Sequence, residues 1–337
     1  MTAAASERHN ESAKRIRLGI VGCGAFASLY HLPTLEADPR VRLAAICDPS
    51  PGEAARRAAA DGGIPLVASP EEVWPACDAV LISSPHGLHY AHARAAIAAG
   101  KHVLVDKPFV MRSGEAEELA EAARARGVLA AVAFNRRFDP GCLRARDLLG
   151  MGNLGPIRHI ETIQLGYPRQ GWLQDPGLGG GGPFVGRGAH MTDLIPWLTG
   201  RRPRRVRGRV LPGEPGQVDQ GGSIECDFEA FSCHLTVLAQ GLYMWDEVRL
   251  FGEDGLVELR RPMGQPLGWA LVRHDVQGRE IERVPADEAR GRATVNFLDA
   301  MEGKAAPACS FEEAWLSVRI VEAAYQSAER QGDWVEL

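Results

Sequence analysis

The chain has 337 residues, of which 45% are apolar and 24% charged, with a formal net charge of −5. That length suggests two domains, the acidic balance gives no electrostatic footprint for nucleic acid or an anionic membrane, and no apolar run of the roughly 18 residues a bilayer span needs is present. The seven cysteines are scattered without a Cys-x-x-Cys pair, which speaks against a disulfide framework, a zinc site or any other metal centre and for a reducing, cytoplasmic setting.

Residues 1–14 are polar, lack an apolar core and read as a disordered leader rather than a signal peptide. From residue 15 to 134 strands and helices alternate. The apolar run from Ile16 to Val21 enters Gly22-x-Gly24-x-x-Ala27, with Ala25 and Phe26 between. This is the pattern of a dinucleotide-binding strand, turn and helix. Gly22 permits the tight turn, Gly24 lets the backbone approach a pyrophosphate, and Ala27 lets the helix lie close to the strand. The free N–H groups at the helix start favour phosphate. A helix from Ala25 to Ala37 follows, then an apolar strand from Val41 to Cys47. That strand ends in Asp48, 26 residues after Gly22. An acid at this strand tip accepts hydrogen bonds from both ribose hydroxyls and repels a 2′-phosphate, favouring NAD over NADP. Arg56 and Arg57 on the next helix keep NADP open. Further strands are expected over 78–83, 101–105 and 128–134, with Ala-rich helices over 53–60, 87–99 and 115–126. This alternation predicts an α/β fold: a doubly wound parallel sheet that binds ligands beyond the carboxyl ends of its strands.

After about residue 134 the rhythm changes. Helix is expected over 144–149, a strand over 157–165, a glycine-rich stretch over 177–188 and a helix over 191–198. Short strands over 206–211, 223–228, 231–239, 247–251 and 256–259 are separated by Gly and Pro. They predict a second α/β domain, residues 135–337, with a largely antiparallel open sheet. Helices over 294–301 and 312–328 close the chain.

Three segments fall at strand ends on the ligand edge. In the first, Ser83 to His89, Ser84 and Pro85 are expected to form the wall and bend beneath a nicotinamide ribose. His89 reads as a packing or capping residue at a helix start. Lys107, after Asp106 and before Pro108, is either a surface lysine or an ammonium at the mouth of the crevice. In the second case it hydrogen-bonds a substrate hydroxyl and, with a lowered pKa, moves a proton. His190 and Asp193 are three residues apart and share a helix face, where Asp193 either orients His190 or caps the helix. His190 is either a satisfied interior histidine or a group that exchanges a proton near neutrality.

These segments together carry a resemblance. The runs Gly19-Ile20-Val21-Gly22-Cys23-Gly24, Gly100-Lys101-His102-Val103-Leu104-Val105-Asp106-Lys107-Pro108, Asn135-Arg136-Arg137-Phe138-Asp139-Pro140 and Gly188-Ala189-His190-Met191-Thr192-Asp193 recur in order and spacing. With them the chain resembles the superfamily of glucose–fructose oxidoreductase, inositol dehydrogenase and MocA. The resemblance implies a nicotinamide-dependent oxidoreductase acting on a sugar, cyclitol or related polyol, with NAD or NADP as cofactor and a homodimer or homotetramer as its assembly. It implies that Gly22, Gly24, Ala25, Phe26, Ala27, Asp48, Ser83, Ser84, Pro85, His89, Asp106 and Lys107 hold the cofactor. It implies Lys107 and His190 as proton-handling residues, and Lys107, Arg136, Tyr167, Trp172, Arg187, His190 and Asp193 around the substrate. A histidine at position 190 fits the inositol or polyol branch. One departure stands out: many members carry an aspartate four residues before that histidine, and this chain has Gly186. Two rivals follow on the same fold, a sugar enzyme with transient oxidation and a non-catalytic NAD or sugar sensor.

Overall fold

A computed structural model describes residues 15–239, 241, 243–261, 268–287 and 289–337. The expected leader lies outside them. Six strands form the first sheet: β1 (Ile16–Val21), β2 (Val41–Cys47), β3 (Leu66–Val67), β4 (Ala79–Ile82), β5 (His102–Asp106) and β6 (Ala130–Ala133). Their order is β3-β2-β1-β4-β5-β6, and every pairing is parallel. The inner strands are continuous apolar runs because helices cover both faces; all four residues of β4 are buried. The strand order reverses between β1 and β4. That junction opens a crevice beyond the strand ends, where ligands of such sheets bind.

The helix after β1 holds an irregularity that the sequence pattern did not reveal. Residues 27–31 form a π-helical turn, closed by the Leu32 N–H donating to the Ala27 carbonyl, before the regular helix α1 (Leu32–Ala37) begins. Pro33 has no N–H to give to the carbonyl of Leu29, so the ordinary four-residue ladder is broken there. The wide turn delivers Phe26, Tyr30 and His31 to the crevice. The helices α2 (Glu53–Gly62), α3 (His89–Ala98) and α4 (Ser113–Arg126) follow the expected rhythm, α2 and α4 ending in left-handed Gly63 and Gly127.

The second half begins with α5 (Pro140–Gly150), whose N-cap Asp139 accepts the Gly141 N–H. Next come β7 (Ile157–Leu165), two single-turn helices α6 (Pro176–Gly179) and α7 (Pro183–Gly186), and α8 (Gly188–Thr199). The strands β8 (Arg205–Leu211), β9 (Gly221–Asp227), β10 (Ser232–Leu238), β11 (Trp245–Gly252), β12 (Gly255–Arg261), β13 (Ala270–His274) and β14 (Glu280–Val284) follow, then helices α9 (Arg292–Met301) and α10 (Phe311–Glu329), and last β15 (Val335–Glu336). The nine-stranded order is β14-β13-β12-β11-β7-β10-β9-β8-β15; β7 with β10 is parallel and all other pairs are antiparallel. Alternate residues (Ile160, Leu235, Val248, Leu250, Val257, Leu259) pack against Leu148, Leu194 and Ile320 of the covering helices. Strands β13 and β14 were not read from the sequence, since β14 (Glu280-Ile281-Glu282-Arg283-Val284) is largely exposed and polar.

The expected boundary near residue 134 cuts the chain once, but the packing crosses it. Ala293, Phe297 and Leu298 of α9 join the core around Leu18, Ile20 and Leu81. Phe311, Ala314 and Val318 of α10 join the core around Phe109 and Leu119. The chain thus returns to brace the first sheet beside its ligand edge.

Candidate active site

Two cavities meet at Phe26. The larger, about 870 Å³, runs over the carboxyl ends of β1, β2, β4 and β5 and is lined by Gly22, Gly24, Ala25, Phe26, Asp48, Ser83, Ser84, Pro85, His89, Asp106 and Lys107, with Arg169 and Trp172 opposite. Gly22 has φ +83°, and a Cβ there would lie 2.4 Å from the Ser84 nitrogen, so no other residue fits this turn. A Cβ at Gly24 would meet no protein atom within 4 Å; the bare backbone borders the cleft. Asp48 accepts the Cys23 N–H at Oδ2 and the Ser50 N–H at Oδ1, each at 2.8 Å. The carboxylate is pinned at the strand tip with lone pairs remaining for ribose hydroxyls. These residues fit a dinucleotide: a bare glycine turn at a helix start for the pyrophosphate and an anchored acid for the adenosine ribose. Ala27, by contrast, is fully buried beneath the turn, where its small size serves packing.

The nicotinamide end of the cleft is built by buried polar bridges. His89 reaches the Pro108 carbonyl from Nδ1 (2.8 Å) and the Ser84 carbonyl from Nε2 (2.9 Å), tying together the loops after β4 and β5. Burial lowers its pKa, outweighing those two carbonyls. Asp106 accepts from Ser83 Oγ at 3.0 Å and from the Lys107 N–H at 2.7 Å, and lies 3.6 Å from His31 Nε2. Burial favours its neutral form, but His31 and the Lys107 charge prevail and hold its pKa below the ordinary value. His31 is fixed in turn by Thr294 of α9, 2.7 Å from Nδ1. Asp106 is therefore braced by the π turn and by the returning chain.

Lys107 follows directly. Its peptide bond to Pro108 is cis. Nζ lies 3.5 Å from the Gly186 carbonyl and 5.4 Å from the Phe26 ring centre. Burial lowers its pKa to about 8; Asp106 opposes the fall, while Arg169, Arg136 and Arg187 add to it. An amine in that range exists in both protonation states near neutrality and can take or give a proton.

The smaller cavity, about 90 Å³, is lined by Phe26, Tyr30, Asn135, Arg136, Asp139, His190, Arg261, Trp269, Ala289 and Arg290. His190 stands at its wall. Its Nδ1 is buried without a partner, so Nε2 is the ring nitrogen left for the cavity. Burial first, then the charges of Arg136, Lys107, Arg187 and Arg261, push its pKa well below the usual histidine value. The ring stays neutral at physiological pH.

Behind His190 stands a wall of arginines around one acid. Asp246 on β11 sits in register with Gln164 on β7 and Arg261 on β12. It receives Arg187 Nη2 at 2.9 Å, Arg136 Nη2 and Arg261 Nη1 at 3.3 Å each, and Gln164 Nε2 at 3.3 Å. Arg136 also stacks 4.8 Å above Trp269; its burial and its like-charged neighbours lower its pKa to about 10. Asp246, Gln164 and Arg261 were missed in the sequence because they lie on three strands separated by many residues. Only the strand register brings them side by side.

Of the expected substrate residues, Lys107, Arg136, Arg187 and His190 converge here. Trp172 lines the larger cleft, its ring 4.9 Å from that of buried His86. Tyr167 stands apart, 58% exposed on the loop after β7. Asp193 departs from the expectation of a partner to His190 or a substrate contact: it shares the helix, but is buried in a two-pronged pair with Arg137 (2.6 and 3.1 Å) and lines neither cavity. Arg187 is engaged with Asp246 and the Leu165 carbonyl. At Gly186 the place of the absent acid is taken: a Cβ there would lie 2.9 Å from Arg169 Nη2 and 3.2 Å from His86 Cε1.

Comparison with known proteins agrees with this geometry. Residues 16–134 match the model of the oxidoreductase family with an NAD-binding Rossmann fold, and residues 142–258 match the GFO/IDH/MocA C-terminal domain. The chain belongs to the GFO/IDH/MocA family of oxidoreductases. It is 30% identical to the dTDP-3,4-didehydro-2,6-dideoxy-alpha-D-glucose 3-reductase of Streptomyces violaceoruber over 87% of each chain. It is 33% identical to the NADP(+)-dependent scyllo-inositol 2-dehydrogenase IolW of Bacillus subtilis, over 58% of this chain and 55% of that one. Among solved structures, the aldose-aldose oxidoreductase of Caulobacter crescentus superposes with a TM-score of 0.83 at 22% identity, covering 96% of this chain and all of that one, a likeness of fold. Among the described residues no group of His, Cys, Asp or Glu could hold a metal ion, and no helix is long and apolar enough to cross a membrane.

Proposed function

We propose that the protein is an NAD-dependent dehydrogenase acting at a hydroxyl-bearing or keto carbon of a sugar, cyclitol or related polyol. The observation that carries this reading is the placement of Lys107, with its pKa near 8, at the carboxyl end of β5 in the cofactor cleft, near enough for its charge to act on His190. The activities named for the relatives support the substrate class. A nicotinamide bound in the cleft supplies or accepts the hydride. Lys107 takes the hydroxyl proton in the oxidising direction and returns it in the reducing one. Neutral His190 hydrogen-bonds the hydroxyl and aligns it, and its cationic neighbours keep it from storing the proton. Asp48 favours NAD. Arg56 and Arg57 are exposed and line neither cavity, and Arg57 is 3.5 Å from Glu36.

The open face of the nine-stranded sheet, where Glu161, Arg249 and Glu258 lie side by side, is the surface through which copies would associate as a homodimer or homotetramer. The seven cysteines are free and buried, which suits a cytoplasmic setting. The test is steady-state turnover of a panel of cyclitols, aldoses and other polyols with NAD and with NADP, beside Lys107→Ala. Lysine-dependent NADH formation, lost by about 10²- to 10⁴-fold in the variant, is expected. Tight NADH binding without turnover of any polyol in either direction would sink the dehydrogenase reading.

A further inference from the structure

Arg169 is the anomaly of the site. It lies on the loop between β7 and α6 and lines the cofactor cleft opposite Lys107. Its Nη2, tucked against Gly186, is buried with no hydrogen-bond partner. No carboxylate among the described residues pairs with it. The acid that acts on it most, Asp219, is already engaged by the N–H groups of Gly182, Phe184 and Gly221 and by the Tyr325 hydroxyl. Arg187 nearby is committed to Asp246 and leaves its own Nε unpartnered. Burial and that neighbour lower the Arg169 pKa to about 10. Arg169 is half-buried, and a guanidinium nitrogen enclosed without an acceptor is seldom left so, because its lost hydration must be replaced. The surroundings add more positive charge: three arginines share the single carboxylate of Asp246.

Position then decides what the anion is. Arg169 abuts Gly186, whose carbonyl lies 3.5 Å from Lys107 Nζ, where the reacting hydroxyl belongs. Gly186 leaves room for this cation: a Cβ there would lie 2.9 Å from Arg169 Nη2.

Building on the dehydrogenase reading, we propose that the substrate is an anionic sugar or cyclitol, bearing a carboxylate or a phosphate, and that Arg169 receives that group. Arg169 is then the residue that sets specificity, through a charge-assisted contact.

The experiment compares matched pairs: glucose with glucuronate, galactose with galacturonate, and myo-inositol with its monophosphate. Two readouts are taken, kcat/KM with NAD and calorimetric binding to the NADH-loaded protein. The quantity read is the ratio of charged to neutral member, in wild type, Arg169→Gln and Arg169→Lys. A ratio above one in at least one pair is expected, falling by about 10- to 100-fold in Arg169→Gln and largely restored in Arg169→Lys. The uronates and the phosphate separate the two anion sources. No preference for the charged member of any pair, or a preference untouched by Arg169→Gln, overturns the proposal. So does Arg169→Gln weakening NADH binding while the ratio holds, which would assign the residue to the cofactor. An Arg169-dependent preference in binding with no turnover of any compound keeps this proposal and removes the dehydrogenase reading instead.

Discussion

The cofactor cleft and the reaction cavity share Phe26 as a wall, yet they are made in opposite ways. The cleft is a backbone device. Its turn at Gly22, its bare edge at Gly24 and its anchored Asp48 come from two consecutive strands, and Asp48 is held by main-chain N–H groups of Cys23 and Ser50. The cavity is a side-chain device. Lys107, His190 and the arginines come from both halves of the chain, and Arg136, Arg187 and Arg261 are held by one carboxylate, Asp246. A backbone device needs few particular side chains and tolerates change around it. A cluster of like charges on one counter-ion does not.

That contrast is broken most severely at Asp246. Removing it in Asp246→Ala leaves buried Arg136 and half-buried Arg187 and Arg261 without their acid, and such losses cost about 3–5 kcal/mol. Chemical denaturation is expected to show a drop of that size. A change below about 1 kcal/mol would mean that solvent or rearrangement replaces the acid, and the cavity would not depend on it as described.

The same contrast explains what was legible in the sequence. Five of the six strands of the first sheet could be read because parallel strands are local apolar runs and the glycine turn has a fixed spacing; the two-residue β3 carries no such run. Lys107 and His190 were legible as candidates by their neighbours, Pro108 and the glycine-rich stretch. The arginine wall was not, because the pairing of Asp246 with Gln164 and with Arg261 is a fact of register between distant strands. The partner of Asp193 was misjudged for a related reason: helix spacing shows which residues share a face, but Arg137 arrives from another element. The π turn before Pro33 and the return of α9 to the first core likewise depend on tertiary packing.

A milder test sharpens the comparison through pH. The Lys107 pKa is depressed to about 8 while that of His190 lies well below its ordinary value. In the oxidising direction the lysine must be unprotonated to accept the hydroxyl proton. kcat/KM should therefore rise with pH by roughly tenfold per unit below about 8 and level off above it. In the reducing direction the protonated lysine is needed, and the rate should fall above the same point. His190 should add no second inflection between about pH 7 and 9. A profile without a break near 8 would remove Lys107 from proton transfer.

The smallest effect is expected on the backbone side. Both Asp48 oxygens already accept main-chain N–H groups at 2.8 Å. Asp48→Asn keeps one acceptor and turns the other position into a donor facing an N–H, while removing the negative charge. NAD loses a charge-assisted contact, worth about tenfold in affinity. NADP loses the same contact but also a repulsion against its 2′-phosphate. NAD affinity should fall by about that factor while NADP affinity changes less, so the ratio of the two dissociation constants narrows. Calorimetry with both cofactors on wild type and variant measures it. If the wild type already bound NADP more tightly than NAD, the acid at this strand tip would not be choosing the cofactor. The exposed Arg56 and Arg57 on α2 would then have to reach the phosphate, and the cleft would depend on side chains as much as the cavity does.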